Sequence, residues 1–331
     1  MSRPGRALPE TRLGPGALAD VLSGLGDAPR WYVAFSGGVD STVLLHLLMR
    51  WCDANPGAPP LTAIHVNHGL QGDADAWGSH CESVCKNMHI PLLSRQVEVR
   101  AGRLGLEAAA RDARYRVFER QLRSGEVIFL GHHNDDQVET FFLRLLRGAG
   151  VRGLAAMPAQ RPLGEGLLAR PLLAFGRAEV EAYAAHHDLR WVEDPSNLDP
   201  GLDRNFLRAE VLPLLASRWP GYRRTVARTG AHMAASASLI DALLPAPETV
   251  RSVMGDPGIP LTALGDLTGE GAAQTMRNWL QVAGFRAPDS GPLWEFLRQL
   301  GEAGARRRPR LQCRDYTCLL YTSDAADDAM N

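Results

Sequence analysis

The stretch WYVAFSGGVDSTVLLHLL, residues 31–48, joins a strand-like pattern to a helix-like pattern across a turn that contains two glycines. Residues 31–35 are apolar, aromatic or β-branched, which is typical of a buried strand. Apolar residues then recur at helical spacing over residues 41–52. The string SGGVDS, residues 36–41, therefore lies where a strand ends and a helix begins.

A glycine-rich turn in this position can bind an anion, because its free backbone N–H groups lie at the positive end of the helix dipole. Glycine allows close approach of a phosphate, and Ser36 and Ser41 add hydroxyl donors. The string is not a Walker motif, since the lysine is missing and the glycines are too close together. A Mg²⁺ ion between Asp40 and a phosphate would explain an acidic residue here. The alternative is a plain turn in which Asp40 or Ser41 caps the helix.

Strand-like and helix-like patterns alternate four times between residues 31 and 147. The predicted strands are 31–35, 61–66, 92–99 and 127–131, and the predicted helices are 41–52, 73–89, 106–123 and 135–147. This alternation predicts an α/β fold, a doubly wound parallel sheet with helices on both faces. Residues 148–166 are rich in Gly and Pro and are predicted to be a long loop, followed by a strand at 167–170 and a helix at 176–187.

The remaining pattern indicates several units. We expect a flexible N-terminal segment (1–28), a nucleotide-binding catalytic domain (29–200), a helical extension (201–246), a linker, and a small, truncated second domain (260–317) that binds tRNA or substrate. Pro213 and Pro220 are expected to break the helical extension. Residues 318–331, CLLYTSDAADDAMN, fit no predicted strand or helix and are expected to be a non-native tail. The true C-terminus and any third domain would then lie outside this sequence.

Composition is that of an ordinary globular protein. The chain has 331 residues, 45% of them hydrophobic, and a formal net charge of −1. It has no apolar run of transmembrane length and no signal-peptide pattern, which predicts a cytoplasmic protein without a membrane partner. Five cysteines at irregular spacing do not suggest a disulfide framework. Cys81 and Cys85 are four apart, which favours two small apolar residues on one helix face over a metal or redox pair.

A second polar cluster follows the fourth predicted strand, in the string GHHNDDQVE. It contains His132, His133, Asp135, Asp136 and Glu139. Open α/β sheets bind ligands at the carboxyl ends of their strands, and Asp136 and Glu139 share a helix face. Zinc is an alternative ligand, although HEXXH and paired-cysteine spacings are missing. A favourable helix dipole explains Asp135 but not all five residues.

Three further stretches carry candidate residues. His65 follows the second strand, in IHVNHGLQ, at the same predicted sheet edge. Arg111 and Tyr115 share one helical neighbourhood, which predicts either a solvated face or phosphate contacts. Asp203 and Arg204 open a helix. The first is a natural N-cap, and the second could neutralise transition-state charge.

Together these stretches resemble the PP-loop ATP pyrophosphatases, and more narrowly the bacterial tRNA(Ile)-lysidine synthetases. SGGVDS matches the PP-loop. The later strings match in order and spacing, namely HVNHGL, EAAARDARYRVF, GHHNDDQVETFFLRLLRGAGVRGLAAM, RPLL, WVEDPSN and DRNFLRAEVLPLL. The resemblance is strong over residues 31–244 and weaker to about 316. SGGxDS alone is shared with GMP synthetases, asparagine synthetases and tRNA thiolases.

The resemblance implies a two-step modification of tRNA(Ile) with a CAU anticodon. ATP adenylates the C2 oxygen of wobble cytidine 34 and releases pyrophosphate. The ε-amine of free L-lysine then attacks C2 and expels AMP, which gives lysidine. Two other functions stay open. One is a tRNA thiolase, although the chain has no CxxC pair. The other is a truncated tRNA-binding fragment without turnover.

The resemblance also implies ATP and Mg²⁺ as cofactors and a homodimer as one possible assembly. The implied ATP-binding residues are Ser36, Gly37, Gly38, Val39, Asp40, Ser41, His65, Arg111 and His132. The implied catalytic residues are Asp40, Asp136, Glu139 and Arg204. Mg²⁺ is expected at Asp40 and Asp136, and lysine at Asp136 and Glu139. The implied tRNA contacts are Arg208, Arg223 and Arg224.

Overall fold

A computed structural model describes residues 12–69, 74–99, 106–194, 199, 201–252, 254–303 and 308–320. The chain divides into two compact units, the first ending at Ala234 and the second beginning at Ala235. The division falls within the helical extension that the sequence predicts. No helix in the described ranges has the length and apolarity needed to cross a membrane.

The first unit is built on a six-stranded sheet. Its strands are β1 (Trp31–Ala34), β2 (Leu61–Asn67), β3 (Leu92–Gln96), β4 (Val127–Phe129), β5 (Gln160–Leu163) and β6 (Gly166–Ala169). Their order is β3-β2-β1-β4-β6-β5, and all neighbouring pairs are parallel except β5 with β6. The predicted α/β class with a doubly wound parallel sheet is confirmed. Because β1 and β4 are neighbours, the turns after them meet at one edge of the sheet.

Ten helices are described that begin in the first unit. They are α1 (Ala19–Ser23), α2 (Val39–Ala54), α3 (Ala74–Asn87), α4 (Leu106–Gln121), α5 (Asn134–Leu146), α6 (Val151–Leu154), α7 (Arg177–His186), α8 (Asp203–Phe206), α9 (Leu212–Arg218) and α10 (Tyr222–Leu243). The last of them crosses the division between the units. The helices that follow β1 and β4, α2 and α5, place their N-termini at the carboxyl edge of the sheet.

Alternation along β1 builds a core on each face of the sheet. Trp31 and Val33 pack on one face together with the leucines of α2 and the side chain of Tyr183 from α7. Tyr32 points to the other face, where it packs with Phe118 of α4. This is the period of two that a strand imposes on its side chains. Each fully buried leucine or phenylalanine contributes about 1.5–3 kcal/mol relative to exposure.

The prediction of a flexible segment at residues 1–28 is wrong for its described part. A 3₁₀ turn over Pro15–Leu18 leads into α1. Leu13, Leu18 and Leu22 are almost fully buried and pack into the core with α2. Burial of these leucines, two of them four residues apart on one helical face, holds the segment against the sheet. Residues 1–11 lie outside the described ranges.

The prediction of a loop over residues 148–166 is also wrong. This region contains α6 and then β5, which forms a hairpin with β6. Gly164, in the two-residue connection, has a φ of +57°. Tight hairpin turns require positive φ, and glycine adopts it readily. Pro162 is tolerated in β5 because this is the edge strand of the sheet.

The prediction that Pro213 breaks the helical extension is wrong. Helix α8 continues through a π turn at Leu207–Val211 into α9, and Pro213 lies in the first turn of α9. A wider turn before the proline relieves the clash of its ring with the carbonyl four residues earlier. The break occurs at 219–221, around Pro220, as predicted.

The second unit has its own apolar core. Its described elements are the strands β7 (Val250–Arg251) and β8 (Pro257–Gly258), a 3₁₀ turn (Leu261–Leu264), the helices α11 (Glu270–Val282) and α12 (Ser290–Gly301), and the strands β9 (Arg310–Gln312) and β10 (Thr317–Leu319). The predicted linker therefore contains a short antiparallel pair, β7 with β8. Trp279 and Leu297 are among the side chains buried between α11 and α12.

The expectation that residues 318–331 fit no strand or helix is wrong for their described part, whereas their non-native origin stays a prediction. Cys318 and Leu319 lie in β10, which pairs antiparallel with β9. Cys318 and Leu320 pack against the core of the second unit. Apolar residues here complete a two-stranded pair, which the sequence alone did not reveal. Residues 321–331 lie outside the described ranges.

Candidate active site

The SGGVDS turn connects β1 to α2 and is held in shape by its own hydroxyls. The backbone N–H of Ser36 donates to Ser41 Oγ at 3.2 Å, and the two serine hydroxyls are 3.1 Å apart. Ser41 and Thr42 also donate to the carbonyl of Gly38. Gly37 has a φ of +82°, a conformation open to glycine and strained for other residues. The turn is therefore fixed with the first N–H groups of α2 unpaired along the helix.

The turn packs tightly against α3 and β4. A Cβ at Gly37 would lie 3.0 Å from Cys81 Sγ. A Cβ at Gly131, just after β4, would lie 2.9 Å from the backbone oxygen of Asp40. These two glycines allow the turn and the end of β4 to approach each other, which brings Asp40 next to the start of α5.

His133 lies between two acidic side chains at this point. Its imidazole is buried, with Nε2 3.6 Å from Asp40 Oδ1 and Nδ1 3.6 Å from Asp136 Oδ2. The backbone N–H of His133 donates to Asp136 Oδ2 at 3.0 Å. The resemblance implies that Asp40 and Asp136 belong to one site. In the structure both carboxylates lie near the His133 imidazole, one beside each ring nitrogen.

The two aspartates titrate differently. Burial raises the pKa of Asp40 above its usual range, although His133 opposes this shift. Burial also acts to raise the pKa of Asp136, but His133, His132 and Arg204 outweigh it and lower that pKa. Asp136 is therefore the more stable anion of the pair.

Two polar atoms of this site, Asp40 Oδ1 and His133 Nδ1, have no hydrogen-bond partner in the described structure. Arg204 Nε also makes no hydrogen bond there, but it forms an ion pair with Glu139. Buried polar atoms are nearly always paired in folded proteins, so a cluster of unpaired ones marks a ligand site. Asp40 Oδ1 is a hard oxygen that suits Mg²⁺. Among the described residues, no group of three or more His, Cys, Asp or Glu side chains is arranged to hold a metal ion.

Glu139 is the most buried acid of the cluster, with 1% of its side chain exposed. Arg208 donates to both of its oxygens, at 2.8 and 3.0 Å. Arg204 Nε lies 3.0 Å from Glu139 Oε2, and Arg204 also donates to Thr140 Oγ1. Lysine binding was expected of Glu139, but both of its oxygens face arginines. Burial acts to lower the pKa of Arg208, and Glu139 outweighs it and raises that pKa.

His132 is held on the other side of the same strand end. Arg170 Nε donates to His132 Nδ1 at 3.2 Å, and Arg170 also donates to the carbonyl of Pro158. Burial and the nearby arginine cations lower the pKa of His132, despite the opposing charge of Asp136. His132 is therefore neutral, with its Nε2 carrying the proton.

Asp135 differs from its neighbour and joins three helices. One oxygen accepts from the backbone N–H of Arg177 at the start of α7, and the other accepts from Arg223 on α10. Arg223 also lies over the ring of Tyr222. Both Asp135 and Arg223, a predicted tRNA contact, are thus engaged within the protein.

The other predicted site residues are dispersed. His65 is buried behind the turn, with Nδ1 3.0 Å from the carbonyl of Phe35. Arg111 is exposed on α4, with its guanidinium 5.4 Å from the Tyr115 ring centre. Arg224 is exposed on α10. Only the first of these lies directly against the SGGVDS turn.

Reasoning from the sequence missed two contributors. Arg170 is part of the string RPLL, and its hydrogen bond to His132 depends on the hairpin β5–β6, part of which the sequence predicts to be a loop. Gln137 exchanges two hydrogen bonds with the backbone of Met157 at 2.7 Å each. No local pattern indicates these contacts, which join residues 20 or more positions apart.

The cysteines do not form a reactive group. All five are free thiols, and Cys81 and Cys85 are buried on α3. Burial raises the pKa of each of these two thiols to about 12. The protonated form predominates at neutral pH, so neither is a ready nucleophile or cluster ligand. The preference for two small apolar residues agrees with this burial.

Comparison with known proteins identifies relatives of the chain. Residues 18–215 match the PP-loop domain family. The tRNA(Ile)-lysidine synthase of Pseudomonas syringae pv. tomato is 48% identical over 87% of this chain and 66% of its own length. That of Coxiella burnetii is 40% identical over 94% of this chain and 70% of its own. The chain spans about two thirds of the length of the curated relatives it matches.

A solved structure shows the same fold. The U34-tRNA thiolase NcsA from Methanococcus maripaludis, with its [4Fe-4S] cluster, superposes with a TM-score of 0.55 at 19% identity. The match covers 66% of this chain and 77% of the thiolase. At this identity the likeness concerns the fold alone.

Proposed function

Because the chain belongs to the tRNA(Ile)-lysidine synthase family of PP-loop proteins, which use ATP, we propose that it forms lysidine in tRNA(Ile) with a CAU anticodon. ATP adenylates the C2 oxygen of cytidine 34, and L-lysine then displaces AMP. The observation that carries this proposal is the meeting of the SGGVDS turn with Asp40 and Asp136 around His133 at one sheet edge. A cytoplasmic location and a homodimer belong to the same proposal.

The SGGVDS turn holds the pyrophosphate portion of ATP in this proposal. The N–H groups of Val39, Asp40 and Ser41 are the first of α2 and are available for phosphate oxygens. The Ser36 and Ser41 hydroxyls fix the turn before ATP arrives. No reorganisation is then needed when negative charge grows on the leaving pyrophosphate. His65 supports the turn from behind through the carbonyl of Phe35.

Asp40 and Asp136 would hold Mg²⁺. The fit rests on the unpaired, buried oxygen of Asp40 and on the anionic character of Asp136. A bound Mg²⁺ would offset charge on the leaving pyrophosphate.

Asp136 also serves the lysine step. The attacking amine must lose a proton, and a carboxylate within reach of lysine can bind the ammonium form and accept that proton. Glu139 instead positions Arg204 and Arg208, since both of its oxygens face them. Arg204 then stabilises negative charge on the reacting phosphate.

His132 and the remaining arginines complete the assignment. Neutral His132 presents an Nε2–H toward the nucleotide, because Arg170 occupies its Nδ1. Arg224 is exposed and free to meet tRNA. Arg208 and Arg223 reach RNA only with the part of each guanidinium not bonded to Glu139 or Asp135. Their contribution to tRNA affinity is correspondingly smaller.

The test is incubation of the chain with ATP, Mg²⁺, L-lysine and a CAU-anticodon tRNA(Ile) transcript. Mass analysis of nucleoside 34 is expected to show a gain equal to lysine minus water. Asp40→Asn should lose both this product and AMP release while retaining tRNA binding. Asp53→Asn, an exposed change at the far end of α2, is the matched control and should stay active.

The outcomes separate the alternatives. AMP and pyrophosphate released without lysidine would mean that adenylation occurs and lysine transfer fails. No release, with tRNA still bound, would favour a binding fragment without turnover. Full activity of Asp40→Asn would refute the assignment of Mg²⁺ to this carboxylate.

A further inference from the structure

Four arginines of the first unit form a cluster without an acidic partner among the described residues. We call Arg111, Arg144, Arg161 and Arg170 the arginine cluster. Arg111 and Arg161 place their guanidiniums 5.4 and 5.3 Å from the centre of the Tyr115 ring. No ion pair involves any of the four in the part of the chain that the structure describes.

Arginines elsewhere in this unit behave differently. Arg204 and Arg208 meet Glu139, and Arg223 meets Asp135. Like charges gathered without a counter-ion repel each other, and burial adds to the cost. The arginine cluster thus carries an excess of positive charge that an anionic ligand would neutralise.

The electrostatics agree with this accumulation. Burial lowers the pKa of Arg144, and the cations of Arg111 and Arg170 lower it further. Burial acts to raise the pKa of Tyr115, but its arginine neighbours reverse the effect and lower it. Arg111, Arg161 and Arg170 thus all act on the Tyr115 side chain, the first two from over its ring.

Part of the cluster is rigid and part is reachable from solvent. Arg144 donates to the carbonyls of Gly153 and Ala156, and Arg170, 4% exposed, donates to that of Pro158. These hydrogen bonds fix the positions of the Arg144 and Arg170 guanidiniums. Arg111 is exposed and Arg161 is half-buried, so a large ligand can reach them. Two fixed guanidiniums beside two accessible ones suit a phosphate that belongs to an extended chain.

The arginine cluster adjoins the candidate active site. Arg170 binds His132, and Arg111 is among the charges that lower the pKa of His132. The arginines that act on Asp40 are instead Arg177 and Arg208. The arginine cluster thus joins the candidate active site through His132.

We propose that Arg111, which the resemblance implies as an ATP-binding residue, instead joins Arg161 and Arg170 in binding a backbone phosphate of the RNA substrate beside the nucleotide that reacts. This inference rests on the proposed function, because it takes RNA as the substrate. Phosphate contacts of this kind fix the register of a nucleic acid without reading its sequence. A single-stranded anticodon loop exposes its phosphates for such a contact.

The test compares Arg161→Gln, Arg161→Lys and Arg120→Gln in the full chain. Arg120 is an exposed arginine in the last turn of α4 and serves as the matched control. The dissociation constant of a labelled CAU anticodon stem-loop RNA is measured from about 50 to 200 mM salt. ATP affinity is measured separately, and circular dichroism verifies folding of each variant.

Arg161→Gln is expected to reduce the slope of log affinity against log salt by about 0.7–0.9, the change for one lost phosphate contact. Arg161→Lys should retain most of the slope, and Arg120→Gln should equal wild type. ATP affinity should stay unchanged in all three. An unchanged slope for Arg161→Gln would overturn the inference. A loss of ATP affinity with an unchanged RNA slope would also overturn it and assign the site to nucleotide phosphate.

The proposed function fails separately. If wild type makes no lysidine but Arg161→Gln still alters the RNA slope, the phosphate site stands without the activity. If wild type makes lysidine and no variant alters the slope, the activity stands and this site is refuted.

Discussion

Glu139→Gln tests whether one buried carboxylate holds two arginines of the site in place. Glu139 is 1% exposed, and Arg208 bonds both of its oxygens at 2.8 and 3.0 Å. Arg204 approaches the same group at 3.0 Å. The substitution keeps the shape of the side chain and removes its charge, so that it leaves two arginines without their counter-ion.

The magnitude follows from these contacts. Two unit charges 4 Å apart interact by about 4 kcal/mol at an effective dielectric constant of about 20. Much of this is cancelled by desolvation, and hydrogen bonds to charged groups contribute about 1.5–3 kcal/mol net. The Arg204 and Arg208 side chains are 24% and 31% exposed, so water recovers part of the loss. We expect the free energy of unfolding of the first unit to fall by about 2–3 kcal/mol.

The assay is a double-mutant cycle with Arg208→Gln. Urea unfolding is followed by hydrogen exchange of the α5 amides, so that the second unit does not contribute. The coupling energy between Glu139 and Arg208 should be about 1.5 kcal/mol or more. Glu181→Gln is the matched control, because Glu181 meets Arg177 in a half-exposed pair. Exposed pairs of this kind contribute about 0.2–1 kcal/mol.

One pattern of results would refute this reasoning. A coupling energy below about 0.5 kcal/mol would mean that Glu139 does not hold Arg208 in place. A normal free energy of unfolding together with a raised KM for lysine would restore the expectation that Glu139 binds the amino acid. Loss of stability together with lower kcat at unchanged lysine KM is the result that positioning predicts.

Three further outcomes are expected. Gly131→Ala should destabilise the first unit and reduce turnover, because the new Cβ would lie 2.9 Å from the backbone oxygen of Asp40. Thermal unfolding measures the effect, with Gly221→Ala as the control because a Cβ there meets no atom within 4 Å. Burial lowers the pKa of His46 from 6.5 to about 4, so its neutral ring stabilises the fold above pH 6.5, and this contribution is lost as pH falls toward 4. Urea unfolding of wild type and His46→Gln should diverge over that window by about 1–2 kcal/mol, reduced for the half-exposed ring, and a constant difference would contradict the shift. Cys81, with its pKa raised to about 12, should resist iodoacetamide in the native chain and react once unfolded; rapid native alkylation would show that the thiol is accessible.

The sheet was predictable because its signal is local. An apolar strand before SGGVDS and leucines at helical spacing after it specify β1 and α2 without knowledge of the rest of the chain. The same holds for the start of α5, where polar residues follow β4. Strands buried on both faces must be nearly continuous in apolar residues, and such runs are readable from sequence.

The errors share a different cause. Leu18 and Leu22 belong to a helix too short to show a period, and only packing against α2 reveals their burial. Strand β5 carries Pro162 and the exposed Gln160, so the edge of the sheet resembles a loop in sequence. The pairing of β10 with β9 depends on non-local hydrogen bonds. In each case tertiary contacts override a weak local preference.

The three acids on α5 show why residue types could be predicted and roles could not. Asp135, Asp136 and Glu139 all lie within the first two turns, but a helix turns each residue by about 100° relative to the last. Asp135 therefore faces α7 and α10, Asp136 faces His133, and Glu139 faces Arg208 in the π turn. The partners of Asp135 and Glu139 come from elements 40 or more residues downstream, whereas Asp136 contacts His133, which also faces Asp40. The sequence places three carboxylates at the site, and the connections of the fold give each of them a different partner.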